Sequence, residues 1–264
     1  MVGAVAPDVL CQQGCHRMPF DLTTLLVGVA LLLAAFVKGT TGFGFPLIAT
    51  PMVALLLDIR TAIAILIIPN MVMDIGQIFR GGFPGEILRR FRWLLILTAF
   101  GVFLGTKVLV ILPIWVLNLS LAAMVFIFVA SDFLRFDFRI SPRLERLLSP
   151  VLGFITGFLN GMTNAAGPPL AIYLYGLRLP KTEFVRSIAT IFLITKLSQL
   201  VAVSTWNLFT FSTLRLSLQV TLFCLLGFYV GLKTQDRVNQ QTFNRGLLVL
   251  LSLIGVLLVV RSLA

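Results

Sequence analysis

The stretch Asn160-Gly-Met-Thr-Asn-Ala-Ala-Gly-Pro-Pro169 interrupts an apolar part of the sequence. Residues 151–159 before it and 170–174 after it are almost entirely apolar. Glycine permits positive φ angles and close backbone approach, and proline removes a backbone donor and ends a helix. The stretch therefore predicts an unwound point between two helical arms.

An earlier copy of this pattern, Thr40-Thr-Gly-Phe-Gly-Phe-Pro46, lies between the apolar runs 22–37 and 47–57. At an offset of 122 residues the two copies share a glycine, a threonine and a proline, namely Gly39 with Gly161, Thr41 with Thr163, and Pro46 with Pro168. In lipid, a broken helix persists only where it is buried in protein or lines a wet cavity. Paired interruptions in corresponding halves of a chain indicate a transporter binding site.

The composition excludes an ordinary soluble domain and a disordered chain, because 58% of the 264 residues are hydrophobic and only 12% are charged. Several apolar stretches reach the roughly 18 residues that a membrane-spanning helix needs. The net charge of +11 comes mainly from four loops that hold 14 of the 21 Lys and Arg residues, within 80–92, 135–146, 178–186 and 233–245. The positive-inside rule places such loops in the cytoplasm, so the basic balance indicates topology and not nucleic-acid binding.

The apolar pattern predicts an all-α multi-pass membrane protein built from an inverted-topology repeat of two four-element halves. Each half is a broken or re-entrant helical hairpin, 22–57 or 151–176, plus three transmembrane helices. The predicted transmembrane helices cover 61–79, 93–112, 114–130, 184–206, 214–232 and 246–260. Three crossings per half is an odd number, so the second half is inverted relative to the first.

The predicted order along the chain is an extracytoplasmic leader, a first repeat, a cytoplasmic linker and a second, inverted repeat. Their bounds are 1–21, 22–130, 131–149 and 150–264. With the basic loops inside, both termini lie outside and the two hairpins enter from opposite faces. Their tips are then expected to meet near the midplane of the membrane.

The two tips predict an anion site. A helix that begins at Pro46 or Pro168 presents free N–H groups and the positive end of its dipole. Neutral donors adjoin both breaks, and neither tip contains an acidic residue. The alternative interpretation is that the glycines only allow close hairpin packing. The expected substrate-binding residues are Lys38, Thr40, Thr41, Gly42, Gly44, Asn160, Thr163, Asn164 and Gly167.

Lys38 is the one lysine or arginine beside a tip, so it is expected to set the charge preference; the alternative is that its stem snorkels to water. Asp74 and Lys196 occupy equivalent positions 122 residues apart, and an ion pair between them, structural or proton-coupling, would lower the cost of burying each. Gln77 and Gln199 follow on the same faces, either to hydrate a pathway or to link helices.

No enzyme motif is present: the sequence lacks HExxH, a Walker loop and G-x-S-x-G. No metal or cofactor is expected. The leader contains Cys11, Cys15 and His16, whose spacing matches no strong zinc pattern, and their role stays open between a metal site, a disulfide and no role.

The sequence resembles the TauE/SafE sulfite-exporter family of bacterial membrane proteins. The residues that carry the resemblance are Thr41-Gly-Phe-Gly-Phe-Pro46, and Gly153-x3-Gly157-x3-Gly161 leading into Gly167-Pro168. The resemblance covers roughly 22–262. It implies a bacterial inner-membrane protein that exports, or in some members takes up, small sulfur-containing anions such as sulfite or organosulfonates.

Three functions are compatible with these features. The first is a secondary anion exporter that works by alternating access, the second a channel-like anion pore, and the third a non-transporting scaffold or accessory subunit. The expected partners are a small anionic substrate and the lipid bilayer, without nucleic acid, and assembly into an oligomer is compatible with this plan.

Overall fold

A computed structural model of the chain describes residues 22–80, 82–133, 139–165, 167–234 and 240–263. Over these residues the chain forms eleven α-helices and no β-strand. The helices are α1 Leu22–Thr41, α2 Phe45–Leu56, α3 Ile59–Phe79, α4 Gly85–Arg90, α5 Arg92–Ile111, α6 Ile114–Phe133, α7 Pro142–Thr163, α8 Gly167–Gly176, α9 Lys181–Thr205, α10 Phe211–Thr234 and α11 Gln240–Leu263. The predicted leader, with Cys11, Cys15 and His16, lies outside the described residues.

Four helices, α3, α5, α9 and α10, are long and apolar enough to cross a membrane by length and composition. The described parts of α6 and α11 hold shorter apolar segments, Ile114–Ala130 and Leu251–Ser262. Large apolar side chains lie on the outer surface, such as Phe211 at 83% and Leu222 at 68% exposure. An apolar exterior of this kind suits contact with lipid, and the all-helical, multi-pass membrane class is the one the sequence predicted.

Both predicted helix breaks are present. The first separates α1 from α2 at residues 42–44, where Gly42 and Gly44 have φ angles of 89° and 96°. The second separates α7 from α8, and there Asn164 has a φ of 62°. Gly42 and Asn164 are equivalent positions of the sequence repeat, so in both halves the first arm is followed by a left-handed residue at the same position. Glycine and asparagine are the residues that accept this conformation most readily.

The second break reverses the chain direction, so α7 and α8 form a helical hairpin. The Ile140 N–H, just before α7, donates to the carbonyl oxygen of Gly176 at the end of α8, at 2.9 Å. The hydroxyls of Ser149 and Tyr173 are 2.5 Å apart. Two arms of one continuous helix would hold these residues far apart, because each residue advances the helix by about 1.5 Å. In the first half, α1 and α2 likewise pack against each other.

The second hairpin begins earlier than predicted. The sequence places its start at residue 151 and assigns 131–149 to a linker, whereas α6 continues to Phe133 and α7 starts at Pro142. Ser141 is the N-cap, its hydroxyl accepting the Leu144 N–H at 3.4 Å. Serine at the cap followed by proline at the first position is a strong helix-start signal, although the first turns of α7 are too polar for a membrane span. The short helix α4, within the basic loop 80–92, was not predicted.

Glycines bring two pairs of helices into backbone contact. In α5 and α7, a Cβ atom added at Gly105 would overlap the carbonyl oxygen of Phe158. In α10 and α1, a Cβ atom at Gly231 would overlap the carbonyl oxygen of Phe36. Phe36 and Phe158 are again 122 residues apart. Each half therefore packs one of its long helices on the hairpin of the other half, through the same residues of the repeat.

The interior divides into two apolar clusters, one around each hairpin. The first cluster unites buried side chains of α1, α2, α3, α5, α6, α10 and α11. The second unites buried side chains of α4, α5, α8 and α9. The polar residues described next lie where α3 and α9, which pack against each other, face the two breaks.

Candidate functional site

Lys38 forms a buried polar cluster with α3. Its Nζ donates to Asp74 Oδ1 at 2.5 Å and to Asn70 Oδ1 at 2.6 Å, and the side chains of Lys38 and Asp74 are fully buried. The Gln77 side-chain amide donates to the Lys38 carbonyl oxygen at 3.2 Å. Spacings of four and then three residues put Asn70, Asp74 and Gln77 on one face of α3. This cluster ties the last turn of α1, just before the first break, to α3.

Lys196 of α9 forms a second buried cluster with the other hairpin. Its Nζ donates to Asn164 Oδ1, to Gln199 Oε1 at 2.7 Å and to Asn160 Oδ1 at 3.4 Å. The Gln199 side-chain amide donates to the Asn160 carbonyl oxygen at 3.2 Å. Lys196 and Gln199 have no exposed surface, and Asn160 and Asn164 are 1% exposed. This cluster ties the end of α7, at the second break, to α9.

The two clusters are copies of one arrangement with the charged residue exchanged. The equivalent positions are Lys38 with Asn160, Asp74 with Lys196, and Gln77 with Gln199. Gln77 and Gln199 each link two helices, because each donates at 3.2 Å to the backbone oxygen of the hairpin residue, Lys38 or Asn160. In the first half the lysine is on the hairpin and its acceptor on the long helix, whereas in the second half these places are reversed.

The charges of the two clusters differ. Lys38 has a carboxylate partner, whereas every hydrogen-bond partner of Lys196 is a neutral amide. The predicted ion pair between Asp74 and Lys196 is not formed, since Lys38 reaches Asp74 from the facing hairpin. Asp74 and Lys196 interact electrostatically at longer range. Together the clusters hold two lysine amino groups and one carboxyl group in the protein interior.

The threonine hydroxyls at both breaks donate to backbone carbonyl oxygens of the preceding helical turn. Thr40 and Thr41 both donate to the Val37 carbonyl oxygen at 2.9 Å, and Thr163 donates to that of Leu159 at 2.8 Å. Bonds of this kind, from a threonine hydroxyl to the carbonyl three or four residues earlier, satisfy the hydroxyl within its own helix. Direct donation from these hydroxyls to an anion stays a prediction, and it requires them to rotate away from the helix.

The second tip contacts the first hairpin. The Asn164 side-chain amide donates to Thr50 Oγ1, in the second turn of α2, at 2.8 Å. Gly42 in the first tip lies against α9, where an added Cβ atom would be 2.7 Å from a methyl carbon of Val185. Gly167 differs, because it is buried and yet has open space where a side chain would be. The second tip therefore has space for a side chain at Gly167, three residues beyond Asn164.

At the two breaks, the first turns of α2 and α8 offer fewer free backbone N–H donors than the sequence suggested. Pro46 is in the first turn of α2, after the Gly44 N-cap, and α8 begins one residue before Pro168. Proline has no N–H group, and in α8 it is followed by Pro169. The first turn of α8 therefore contributes mainly its dipole. Side chains of the Lys196 cluster have to supply most of the hydrogen bonds to any anion there.

Spare hydrogen-bonding capacity surrounds Lys38. Three buried atoms lack a partner in the part of the chain that the structure describes, namely Asn70 Nδ2, Asp74 Oδ2 and Gln77 Oε1. Most buried polar atoms in proteins are hydrogen-bonded. Both a donor and two acceptors are thus left over on one face of α3, which marks a polar region and not an ordinary apolar core.

Sequence reasoning missed two residues of this region, Asn70 and Thr50. Asn70 is equivalent to Phe192, and Thr50 to Ile172, so a comparison of the two halves passes over both. The helical spacing from Asn70 to Asp74 to Gln77 within an apolar helix was a usable signal for Asn70. Thr50 carries no such signal, because its role depends on how the second tip packs on α2.

The part of the chain that matches a known protein family includes both helix breaks and both lysine clusters. Residues 26–258 match the family model described as sulfite exporter TauE/SafE. No match was found among curated proteins or among solved structures. The matched region is nearly the whole chain and includes every residue of the two clusters, so this protein belongs to the TauE/SafE sulfite-exporter family, a family of membrane transporters.

Proposed function

We propose that the protein is a secondary transporter of the bacterial inner membrane that exports small sulfur-containing anions such as sulfite or organosulfonates. Membership in the sulfite-exporter family supports the transporter class. The observation that points to an anionic substrate is Lys196, a fully buried lysine whose hydrogen-bond partners are all neutral amides.

The anion is proposed to bind beside Lys196 at the second break. An unpaired charge in a membrane interior is costly and is normally compensated by a counter-charge. Open space next to Gly167, three residues beyond Asn164, leaves room for a small ion. The positive dipole end of α8 points at the same break and favours negative charge. An oxyanion there would supply the counter-charge that the protein itself does not place on Lys196.

The proposed charge-setting residue is therefore Lys196 and not Lys38, which the sequence favoured. Lys38 is neutralised by Asp74, 2.5 Å away. Its role in this proposal is to hold the first hairpin on α3 while the second hairpin carries the substrate. The asparagines and Gln199 orient the anion without adding full charge, which keeps binding weak enough for release.

The proposed mechanism is alternating access by an inverted repeat, with a site near the midplane between the two breaks. Three matched features support the repeat, each recurring 122 residues apart. They are the glutamine contacts to the hairpins, the left-handed residues at the breaks, and the hairpin residues Phe36 and Phe158 that pack against glycines. Each half also packs a long helix on the opposite hairpin. Rocking of one such unit against the other would open the site to each face in turn.

The proposed orientation has both termini outside and the basic loops in the cytoplasm. Cysteines introduced at Arg90 and Arg143 should then resist an impermeant thiol reagent added to intact cells, and a cysteine at Asn207 should react with it. Asn207 follows α9 and Arg143 lies in the first turn of α7, and all three residues are exposed. The reverse labelling pattern would contradict the orientation.

Transport is tested by flux of radiolabelled sulfite in proteoliposomes under an imposed membrane potential. Each elementary charge that crosses gains about 2.3 kcal/mol per 100 mV, so anion export from a negative interior needs no other driving force. A transporter should show saturable flux and accelerated counterflow. Flux without saturation or counterflow would favour a pore, and absence of flux for sulfite and for short sulfonates would leave the scaffold hypothesis.

A further inference from the structure

A cavity of about 1180 Å³ lies away from the lysine clusters, at one end of the helix bundle. Its wall includes Arg92 and Trp93, at the start of α5, and Glu183, in the first turn of α9. Both helices are long and apolar enough to cross a membrane. The cavity is therefore at the level where the apolar interior meets water. Its charged lining residues are Arg89, Arg90, Arg92, Arg146 and Arg186, with Glu86, Glu145 and Glu183.

Two of the three glutamates in the cavity are already paired. Arg90 donates from Nε and Nη2 to the two carboxylate oxygens of Glu145, at 2.8 and 3.0 Å, and from Nη1 to Glu183 at 3.3 Å. The hydrogen bonds to Glu145 raise the pKa of Arg90 above its ordinary value, so Arg90 stays charged. This network joins α4, α7 and α9 and forms one wall of the cavity.

The other arginines leave positive charge unpaired. Arg89, Arg92 and Arg146 form no ion pair with any acidic residue in the described part of the chain. Arg186 donates through Nη2 to the carbonyl oxygens of Gly82 and Phe83, but its Nε is buried with no acceptor among the residues that the structure describes. A buried guanidinium donor without a partner indicates that an acceptor is missing from the cavity.

The size and the lining of the cavity indicate which kind of ligand supplies that acceptor. A volume of about 1180 Å³ is far larger than a sulfite-sized anion needs and exceeds typical small-molecule pockets. Phe83 and Trp93 also line it and are 85% and 57% exposed. Tryptophan at the end of a membrane helix is typical of the headgroup level, and guanidinium groups bind phosphate oxygens bidentately. The ligand should therefore combine a phosphate with apolar chains.

We propose that this cavity binds the phosphate headgroup of an anionic phospholipid, with its acyl chains beside Phe83 and Trp93. Basic pockets between transmembrane helices are known to hold such headgroups. The bound lipid would join α4, α5, α7 and α9 on the outside of the second hairpin, near the buried contact between Ser149 and Tyr173. The site is independent of the proposed anion transport.

The test is titration of dihexanoyl-phosphatidylglycerol into the detergent-solubilised protein, followed by thermal shift. A ligand that binds the folded state raises the melting temperature with its concentration. Dihexanoyl-phosphatidylcholine, with the same chains and no net charge, should give no shift. Arg89→Gln combined with Arg146→Gln should weaken phosphatidylglycerol binding about 25-fold, at roughly fivefold per arginine, or about 1 kcal/mol each.

Arg143→Gln is the matched control, because Arg143 is an exposed arginine in the first turn of α7, near Arg146, and does not line the cavity. It should bind the lipid like the unmodified protein. If the double variant is unstable, each single variant should show its fivefold loss. Equal losses in Arg143→Gln, equal binding of phosphatidylcholine, or the same shift with inorganic phosphate or sulfite alone would overturn the proposal, as would the absence of any shift.

Discussion

Lys196→Met should strongly reduce sulfite flux in proteoliposomes at subsaturating sulfite, while the protein still folds. Lys196 Nζ is the one full positive charge at the second break that has only neutral hydrogen-bond partners. Methionine fills a similar volume, and the asparagines and Gln199 that it leaves behind are uncharged. The substitution therefore removes the attraction for the anion without creating a buried unpaired charge.

The expected size of the effect follows from the hydrogen bonds of charged groups, which contribute about 1.5–3 kcal/mol each. At about 1.4 kcal/mol per factor of ten, the apparent affinity should fall roughly 10- to 150-fold. The measurement is the concentration dependence of sulfite flux, with counterflow recorded in the same vesicles. Binding can be checked separately from flux by the thermal shift that sulfite produces.

Lys107→Met serves as the matched control, because Lys107 of α5 is exposed and takes no part in either cluster. It removes the same charge from the same chain and should transport normally. If Lys196→Met instead transports at the rate and affinity of the unmodified protein, the anion site is not at the second break and the proposed mechanism is wrong.

Lys38→Met should strongly destabilise the fold. It leaves the Asp74 carboxylate buried with no cation within hydrogen-bonding distance, and one of its oxygens already has no partner among the described residues. Removing one member of a buried ion pair typically costs about 3–5 kcal/mol. A drop in melting temperature of the detergent-solubilised protein would report this loss.

The double variant Lys38→Met with Asp74→Leu should recover much of that stability, because it removes both buried charges together. A double-mutant cycle isolates the coupling between the two residues. Additive losses would show that Lys38 and Asp74 do not pair. The corresponding cycle for Asp74 and Lys196 should give a much smaller coupling energy, since these two residues make no direct contact.

The two helix breaks could be predicted because their causes are local. Gly42 and Gly44 accept positive φ angles, Asn164 tolerates them, and Pro46 and Pro168 begin the next helix. The long helices were equally predictable, since a span depends on the length of an apolar run. The family also followed from residues next to the breaks, and its model matches residues 26–258.

Composition gave a wrong prediction for the segment before the second hairpin, where it competed with a local helix-start signal. The polar residues 142–149 looked like a linker, yet Ser141 and Pro142 start a helix there. Helix-start signals depend on a few residues and act whether or not the following turns are apolar. The hairpin consequently extends beyond the apolar run by which its start was predicted.

The sequence alone indicated that Asp74, Gln77, Lys196 and Gln199 lie within apolar helices and recur in pairs, because both properties follow from position along the chain and from the repeat. The partners of each lysine were decided by tertiary structure. Lys38 meets Asp74 across the contact between α1 and α3, and Lys196 meets Asn160 and Asn164 across the contact between α9 and α7. A lysine side chain reaches across only one helix contact, so the packing of the hairpins selects which lysine pairs with a carboxylate and which has only neutral partners.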